Sequence, residues 1–146
     1  MYKEKINSLP SLISKANKSI KNMLIEELKK AGAEELSPSH GYILIGLYKN
    51  EKMSMTEITK TIGKKKNTVT MLVKKLIDYN YVQKHLDPKD SRKTYIVLTK
   101  KGREFHSKFD EISKNLIDTT IKGFTEEEKQ LFVVLIEKII NNFKEV

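Results

Sequence analysis

Apolar residues recur at steps of three and four over most of the chain, and this spacing places them on one face of a helix. The first such stretch begins near Ser8 and ends before Gly32, at the kind of residue that commonly terminates a helix. A later stretch opens at Ser54 on the capping-box pattern Ser-Met-Thr-Glu. In chain order, the predicted helices span about 8–30, 40–48, 54–62, 66–79, 99–122 and 125–143.

Between residues 81 and 98 the hydrophobic pattern changes to a period of two. Segments 81–86 and 93–98 alternate and contain many β-branched and aromatic residues, so they predict two strands. The segment between them, 87–91, has the sequence DPKDS, whose residues favour a tight turn. The predicted order is therefore four helices, a β-hairpin and two further helices.

Two short helices joined by a turn at Gly63 and followed at once by a hairpin form a winged helix-turn-helix. The predicted fold is mostly α with a small β-hairpin wing, in one domain over 1–146. The winged helix-turn-helix occupies 36–99, and the flanking parts, 1–35 and 100–146, add N- and C-terminal helices. Both flanking parts carry apolar faces too long for a small winged helix to cover, so we expect them to be dimerisation helices.

The positive charge of the chain is concentrated in one segment. The whole chain has 28 basic and 19 acidic side chains, a net charge of +9. Residues 60–103 hold 13 basic and three acidic residues, a net charge of +10, and the rest of the chain has a net charge of −1. Charge confined in this way indicates a nucleic-acid-binding surface, whereas a genome that favours lysine would enrich the whole chain.

The first turn of the predicted helix 66–79 suits anion binding better than helix stability. Helix N-termini favour Ser, Thr, Asp or Asn as the cap and acidic residues in the first turn, but three lysines stand here. In a winged helix-turn-helix this second helix enters the major groove, where Asn bonds adenine and Thr or Met contacts thymine methyl groups. The candidate DNA-binding residues of this helix are Lys64, Lys65, Lys66, Asn67, Thr68, Thr70, Met71 and Lys74. We expect about two of the uncharged residues to read bases and the others to face solvent.

The turn of the predicted wing adds a second set of candidate DNA contacts. Arg92 follows Asp90 by two residues, so the carboxylate can orient the guanidinium for insertion into a narrow minor groove. An ordinary surface ion pair of little energetic value is the alternative interpretation of the same two residues. Lys89 and Lys93 lie beside them and complete the candidate contacts of the wing.

Three linked segments closely resemble the signature of the MarR family of transcriptional regulators. They are Leu76-x3-Asn80-Tyr81-Val82-x-Lys84, Asp87-Pro88-Lys89-Asp90-Ser91-Arg92 and Leu98-Thr99-x2-Gly102, at the spacing that the family keeps. The helix order resembles the family over essentially the whole chain. Asn80 stands where the family usually has Gly, and Ser91 stands where it often has Arg, which makes the wing depend more on Arg92 and Lys93.

The resemblance implies a homodimer that binds double-stranded DNA, with the helix 66–79 in the major groove and Arg92 in the minor groove. It also implies that the first, fifth and last helices form the dimer interface. Many members of the family respond to small aromatic or anionic effectors bound between the winged helix and the dimer helices. In this chain that region includes Ile13, His40, Tyr42 and Ile43, which also suit ordinary positions in or near the core.

Several other function classes find no support in the sequence. There is no cysteine for a disulfide or a thiolate switch, and no phosphate-binding loop or nucleophile–base motif points to an enzyme. His40, His85 and His106 share no ligand spacing, so we expect neither a metal nor another cofactor. With no membrane-spanning apolar run and no signal-peptide pattern, we expect a cytoplasmic protein with no membrane partner.

Three functions remain open at this point. The first is a sequence-specific homodimeric repressor of a palindromic operator, released by a small ligand. The second is a DNA-binding regulator without an inducer, controlled by its own abundance. The third is a winged helix that binds other proteins. A steep salt dependence of duplex binding separates the third from the other two, and ligand screening separates the first from the second.

Overall fold

A computed structural model describes residues 2–144 of the chain, which form helices and one small antiparallel sheet. The elements are α1 (Tyr2–Asn7), α2 (Leu9–Lys30), α3 (Pro38–Lys49), β1 (Met53–Ser54), α4 (Met55–Ile62), α5 (Lys66–Asp78), β2 (Val82–Leu86), β3 (Thr94–Leu98), α6 (Lys100–Glu104), α7 (His106–Thr120) and α8 (Glu126–Lys144). The predicted fold class, mostly α with a hairpin wing, is confirmed.

The sheet contains three strands in the order β1-β3-β2, one more than the hairpin pattern predicts. β2 and β3 form the predicted hairpin, with Val82 opposite Leu98. The additional strand β1 pairs antiparallel with β3, with Met53 opposite Ile96. A strand of two residues shows no periodicity, and its partner lies far along the chain, so the local pattern could not reveal it.

The helix predicted over 99–122 is in fact two helices, α6 and α7, interrupted at Phe105. Phe105 has φ −71° and ψ −16°, so its backbone stays in the helical region. Its ring is buried and packs edge-on against Tyr81, with 5.5 Å between the ring centroids. The prediction of one continuous helix was therefore wrong. No glycine or proline stands at the interruption, so the sequence carries no local signal for it. The short helix α1 was likewise not predicted.

Two of the helix ends predicted from the sequence are confirmed beside the sheet. Ser54 Oγ accepts the backbone N–H of Glu57 at 3.2 Å, and the Glu57 carboxylate accepts the N–H of Ser54 at 2.7 Å. These bonds to Ser54 lower the pKa of Glu57. At the end of α5, Asn80 has a φ of 62°, in the left-handed region that Asn tolerates better than most residues.

The hydrophobic core lies in the first of two compact units, which extends to Ile112. Its most completely buried aliphatic side chains come from α3, α4, α5 and the sheet: Ile43, Leu44, Ile58, Val69, Leu76, Val82 and Ile96. Because Val69, Val73 and Leu76 anchor one side of α5 in this core, the other side of the helix remains available for contacts outside the molecule.

The second compact unit begins at Ser113 and contains the end of α7 and all of α8. None of the residues of α8, 126–144, is buried. Its exposed apolar side chains are Leu131, Phe132, Val133, Val134, Leu135, Ile140 and Phe143. A helix so apolar and so little covered needs a further surface to pack against. Within residues 2–144, no helix combines the length and apolar composition needed to cross a bilayer.

Candidate nucleic-acid interface

The N-terminus of α5 presents three lysines to solvent, and the side chain of its N-cap residue bonds none of the backbone donors of the first turn. Lys65 occupies the cap position in extended conformation (φ −62°, ψ 146°), and its side chain makes no capping hydrogen bond. Lys64, Lys65 and Lys66 are all exposed, and the first turn contains no acidic residue. The first N–H groups of a helix and its dipole favour an anion at this position, so lysines and backbone can act on the same phosphate.

The exposed side of α5 carries the four uncharged candidate residues, and internal hydrogen bonds determine which of their groups stay free. Thr70 donates its hydroxyl to the Lys66 carbonyl at 2.9 Å, so its methyl group is left for apolar contact. Asn67 Oδ1 accepts the N–H of Thr68 at 3.0 Å, so the Asn67 amide retains its donors. Met71 is 67% exposed and forms an apolar projection beside them.

Lys74, one turn further along α5, is partly neutralised within the helix. Its Nζ lies 2.9 Å from Asp78 Oδ2, and both side chains are exposed. Asp78 is not among the residues predicted above, although acidic and basic residues four positions apart on a helix are a known signal for such a pair. The charge that Lys74 offers to a phosphate is therefore reduced relative to the lysines at the N-terminus of the helix.

The wing turn is ordered by its two aspartates. Asp87 Oδ1 accepts the N–H of Lys89 at 2.8 Å, and this bond lowers the pKa of Asp87. Asp90 holds Arg92 by two contacts, from Nε to Oδ1 at 3.1 Å and from Nη2 to Oδ2 at 3.4 Å. The Arg92 side chain is nevertheless 89% exposed. Lys89 and Lys93 are exposed on the same turn.

Thr99 and Gly102 join the end of the wing to the end of α5. Thr99 Oγ1 accepts the N–H of Gly102 at 3.1 Å and donates to the carbonyl of Asn80. Gly102 is buried so close to the Tyr81 carbonyl that a Cβ atom at this position would collide with it. The L-T-x-x-G segment therefore ties the end of the wing to the residues that follow α5, which is the second helix of the helix-turn-helix and is called the recognition helix below.

The four candidate ligand-binding residues do not share one environment. His40 and Ile43 are buried, whereas Tyr42 is 58% exposed and Ile13 is 39% exposed. His40 lines a cleft of about 470 Å³ whose other walls come entirely from α5. The residues of α5 in this cleft are Thr68, Met71, Leu72, Lys74, Lys75 and Asp78.

His40 is neutral and buried, and one of its two ring nitrogens has no hydrogen-bond partner. Its Nδ1 accepts the backbone N–H of Ser37 at 2.9 Å, which leaves the ring proton on Nε2. Burial, assisted by the charge of Lys75, lowers the pKa of His40 to about 4, so the ring is uncharged at neutral pH. Among the side chains that the structure describes, Nε2 of His40 is the buried polar atom without a hydrogen-bond partner.

The described residues contain no group of three or more His, Asp or Glu side chains arranged to hold a metal ion. His106 stacks on Tyr48 with 3.8 Å between ring centroids and lies 3.5 Å from Asp110. These contacts account for His106 without a ligand.

A helix-turn-helix with a cationic second helix and an arginine-bearing wing defines a winged-helix DNA-binding protein. Specifically, the chain belongs to the family of the transcriptional regulators SarA and Rot, whose model matches residues 23–112. It is a DNA-binding transcriptional regulator of the MarR/SarA winged-helix type, and proteins of this type are regulators rather than enzymes.

Two transcriptional regulators of known sequence are similar to this chain. The uncharacterized HTH-type transcriptional regulator YkoM of Bacillus subtilis is 27% identical over 135 residues, which are 92% of this chain and 86% of that protein. The HTH-type transcriptional regulator SarZ of Staphylococcus epidermidis is 30% identical over 94 residues, which are 64% of this chain and 62% of SarZ.

Solved structures of MarR-type proteins share the fold. A cysteine-to-serine mutant of MarR from E. coli, complexed with operator DNA, matches with a TM-score of 0.79 and 19% identity, covering 92% of this chain and 95% of that one. BpsR of Bordetella bronchiseptica, whose DNA binding is regulated by 6-hydroxynicotinic acid, matches with a TM-score of 0.77 and 19% identity, covering 90% and 91%. The resemblance to the MarR family is confirmed.

Proposed function

We propose that this regulator is a homodimeric repressor that binds a palindromic operator in the cytoplasm. The observation that carries the proposal is the N-terminus of α5, where an absent cap and three exposed lysines face outward on a helix whose other side is anchored in the core. Such a helix enters the major groove of duplex DNA with its N-terminal residues leading. Lys64, Lys65 and Lys66 then contact phosphates, and Asn67, Thr68, Thr70 and Met71 face the base edges.

The wing supplies the second contact of each subunit in this proposal. Arg92 is exposed and held in a fixed orientation by Asp90, so little side-chain freedom is lost when it enters the minor groove. Lys89 and Lys93 contact the flanking phosphates, and Lys74 adds a weaker contact because Asp78 competes for it.

The exposed apolar residues of the terminal helices support the homodimer. α2 exposes Leu9, Leu12, Ile13, Ile20 and Ile25, and α8 exposes a longer apolar series without a buried residue. Twofold association of identical chains is the commonest way to cover such surfaces. It would present two α5 helices about 34–36 Å apart, which matches successive major grooves on one side of DNA.

The experiment that tests the proposal is selection of bound sites from random duplex DNA, followed by determination of the number of chains per site. We expect an inverted repeat whose half-sites are centred about one helical turn apart, bound by two chains. Binding with no sequence preference, or with a salt dependence close to zero, would contradict the proposal and favour the protein-binding alternative.

Replacing Arg92 by alanine should weaken operator binding about 10- to 100-fold and reduce the preference for the sequence flanking each half-site, because the minor-groove contact reads DNA shape. Lys65→Ala is the comparison variant. It should weaken binding to all sequences about equally, since a phosphate contact carries no sequence information. Fluorescence anisotropy on operator and scrambled duplexes measures both effects. Equal operator affinity of the Arg92 variant and the parent would remove the wing from the interface.

A small-molecule effector is a second component of the proposed function, and His40 favours it over control by abundance alone. The cleft between α3 and α5 combines the unpartnered Nε2–H of His40 with Lys75 and with apolar Met71 and Leu72, while Asp78 partly neutralises the second lysine, Lys74. These groups suit an anionic ligand with an apolar body. A ligand here contacts the helix that enters the DNA, so its binding can change the position of that helix. The residues that line this cleft include His40 but not Ile13, Tyr42 or Ile43, so His40 is the one of the four candidates that we retain as a ligand contact.

A thermal-shift screen of small aromatic carboxylates tests this component. A binder present at 100 times its Kd should raise the Tm by about 5–10 °C and weaken operator binding. Replacing His40 by leucine should abolish the shift, whereas Tyr42→Leu, an exposed position on the same helix, should leave it nearly unchanged. A shift that survives in the His40 variant would exclude this cleft. No shift from any member of the class would favour the regulator controlled by abundance.

A further inference from the structure

The segment that follows α5 is bonded through the buried side chain of Tyr81 to Glu35, which lies far away in the sequence. Tyr81 is 2% exposed and lies directly after Asn80, the left-handed residue that ends the recognition helix. Its hydroxyl donates to Glu35 Oε1 at 2.8 Å. Burial, followed by the bond to Glu35, raises the pKa of Tyr81 above its usual range, so the hydroxyl remains a donor.

Glu35 is held in place at its own end of this hydrogen bond. It lies in the connection between α2 and α3, between the buried residues Ala33 and Leu36. The connection starts with a bond from the Ala33 N–H to the carbonyl of Leu28, also buried, at 2.8 Å. Glu35 therefore lies in a segment whose backbone is bonded directly to the end of α2, which precedes it.

The beginning of α6 fixes the same segment from the opposite side. The Thr99 N–H donates to the Tyr81 carbonyl at 3.1 Å, and Lys101 Nζ donates to the Tyr79 carbonyl at 2.8 Å. The same Nζ lies 4.3 Å from the centroid of the Tyr81 ring. These contacts hold the backbone and the ring of Tyr81. Its hydroxyl adds a separate bond, to Glu35 in the segment between α2 and α3.

The end of α5 that these contacts fix is opposite to the end that meets DNA. At its N-terminus the helix has no side-chain cap, and Lys64, Lys65 and Lys66 are exposed. Thirteen residues make a helix of about 20 Å, so a tilt of about 5° at one end displaces the other by about 1.7 Å. Displacements of this size break hydrogen bonds to base edges, but they hardly change long-range attraction between lysines and phosphates.

We propose that the Tyr81–Glu35 hydrogen bond positions the recognition helix for base reading and couples it to α2. The inference rests on the proposed function, in which α5 enters the major groove and α2 belongs to the dimer surface. Neither residue touches DNA in this arrangement. Losing the bond lets the end of α5 move relative to the connection before α3, so sequence discrimination falls while electrostatic binding persists. Any change at the dimer surface that shifts α2 acts on DNA reading by the same route.

The test compares Tyr81→Phe with the parent protein on the selected operator and on a scrambled duplex. The variant keeps the ring packing and removes only the hydroxyl. We expect the ratio of operator to scrambled affinity to fall about 5- to 10-fold, with the affinity for scrambled DNA and the salt slope unchanged. Tyr79→Phe is the matched control, because Tyr79 lies two residues away and is 44% exposed, and its ratio should equal that of the parent.

Two variants of Glu35 complete the test. Glu35→Gln retains an oxygen acceptor and should preserve most of the discrimination, whereas Glu35→Ala should reproduce the effect of Tyr81→Phe without adding to it in the double variant. A Tyr81→Phe protein that loses stability but keeps the parent's affinity ratio would show that the bond is merely structural. If the parent itself shows no sequence preference, the proposed function fails instead, so the two failures are distinguishable.

Discussion

Replacing Lys64, Lys65 and Lys66 together by alanine is expected to weaken DNA binding about 500-fold at 0.1 M salt. Each phosphate contact contributes a slope of about −0.9 in log affinity against log salt concentration. Between 1 M and 0.1 M salt, three contacts are therefore worth about 2.7 decades of affinity. All three side chains are exposed at the N-terminus of α5, which lacks a side-chain cap, and in the proposed complex the backbone donors and the helix dipole would act on the same phosphates.

The measurement is a salt titration of duplex binding. The slope of log affinity against log salt concentration should be smaller in magnitude for the variant than for the parent by about 2.7, the value for three phosphate contacts. Lys108, Lys122 and Lys138 are exposed on α7, in the loop after it and on α8, and a triple alanine variant at these positions removes the same charge. This control should bind DNA with a slope close to that of the parent. If the two triple variants lost affinity equally, net charge rather than the N-terminus of α5 would explain the binding.

The same α5 variant should be slightly more stable than the parent. Positive charges near a helix N-terminus oppose the dipole, at a cost of about 0.3–1 kcal/mol each at low salt. Removing them should therefore raise the midpoint of urea unfolding and, at the same time, lower the affinity for DNA. Opposite changes in stability and binding are what distinguish a site optimised for a ligand from one optimised for folding.

Gly102→Ala is expected to have the largest effect on stability, a loss of about 3 kcal/mol or more in the free energy of unfolding. An added Cβ would collide with the backbone carbonyl of Tyr81 and press on the side chain of Leu98. Inserting a methyl group into a packed site costs about 1–3 kcal/mol, and more where the neighbour is backbone. The displaced segment includes the end of α5, so operator binding should weaken in the fraction that still folds.

Gly41→Ala provides the matched control for this substitution. Gly41 also lies in a helix, but its added Cβ would meet only the Phe109 ring, at an ordinary contact distance of 3.4 Å. Alanine in a helix interior is favoured over glycine by about 1 kcal/mol, so this variant should be as stable as the parent or more stable. Urea unfolding followed by circular dichroism measures both variants. A Gly102 variant as stable as the parent would disprove the close approach of α6 to the end of α5.

Much of the fold could be predicted from local pattern because its main elements carry their own signals. The capping box at Ser54, the left-handed Asn80 and the alternation over β2 and β3 are each set by residues near in sequence. The elements that were missed or merged depend on distant partners. β1 exists through its pairing with β3, and the interruption at Phe105 coincides with a contact to Tyr81.

The DNA-binding candidates remain predictions, and they rest on signals that are also local to the chain. Charge concentrated in 60–103, the lysines before α5 and the spacing of Asp90 and Arg92 are properties of the chain itself. The pairing of Lys74 with Asp78, which was not predicted, also has a local signal in their four-residue spacing. The environment of His40 was different, since nothing local to it indicates that α5 forms the other walls of its cleft.

The sequence by itself therefore determined the order of the main elements, the winged-helix class and the cationic surface, because short-range periodicity, capping and charge encode them. The tertiary structure decided what joins those elements. It brought the Tyr81 hydroxyl to Glu35, Gly102 to the Tyr81 carbonyl, and His40 to α5. These contacts link residues far apart in the chain, and packing of the whole core, rather than any local preference, selects their partners.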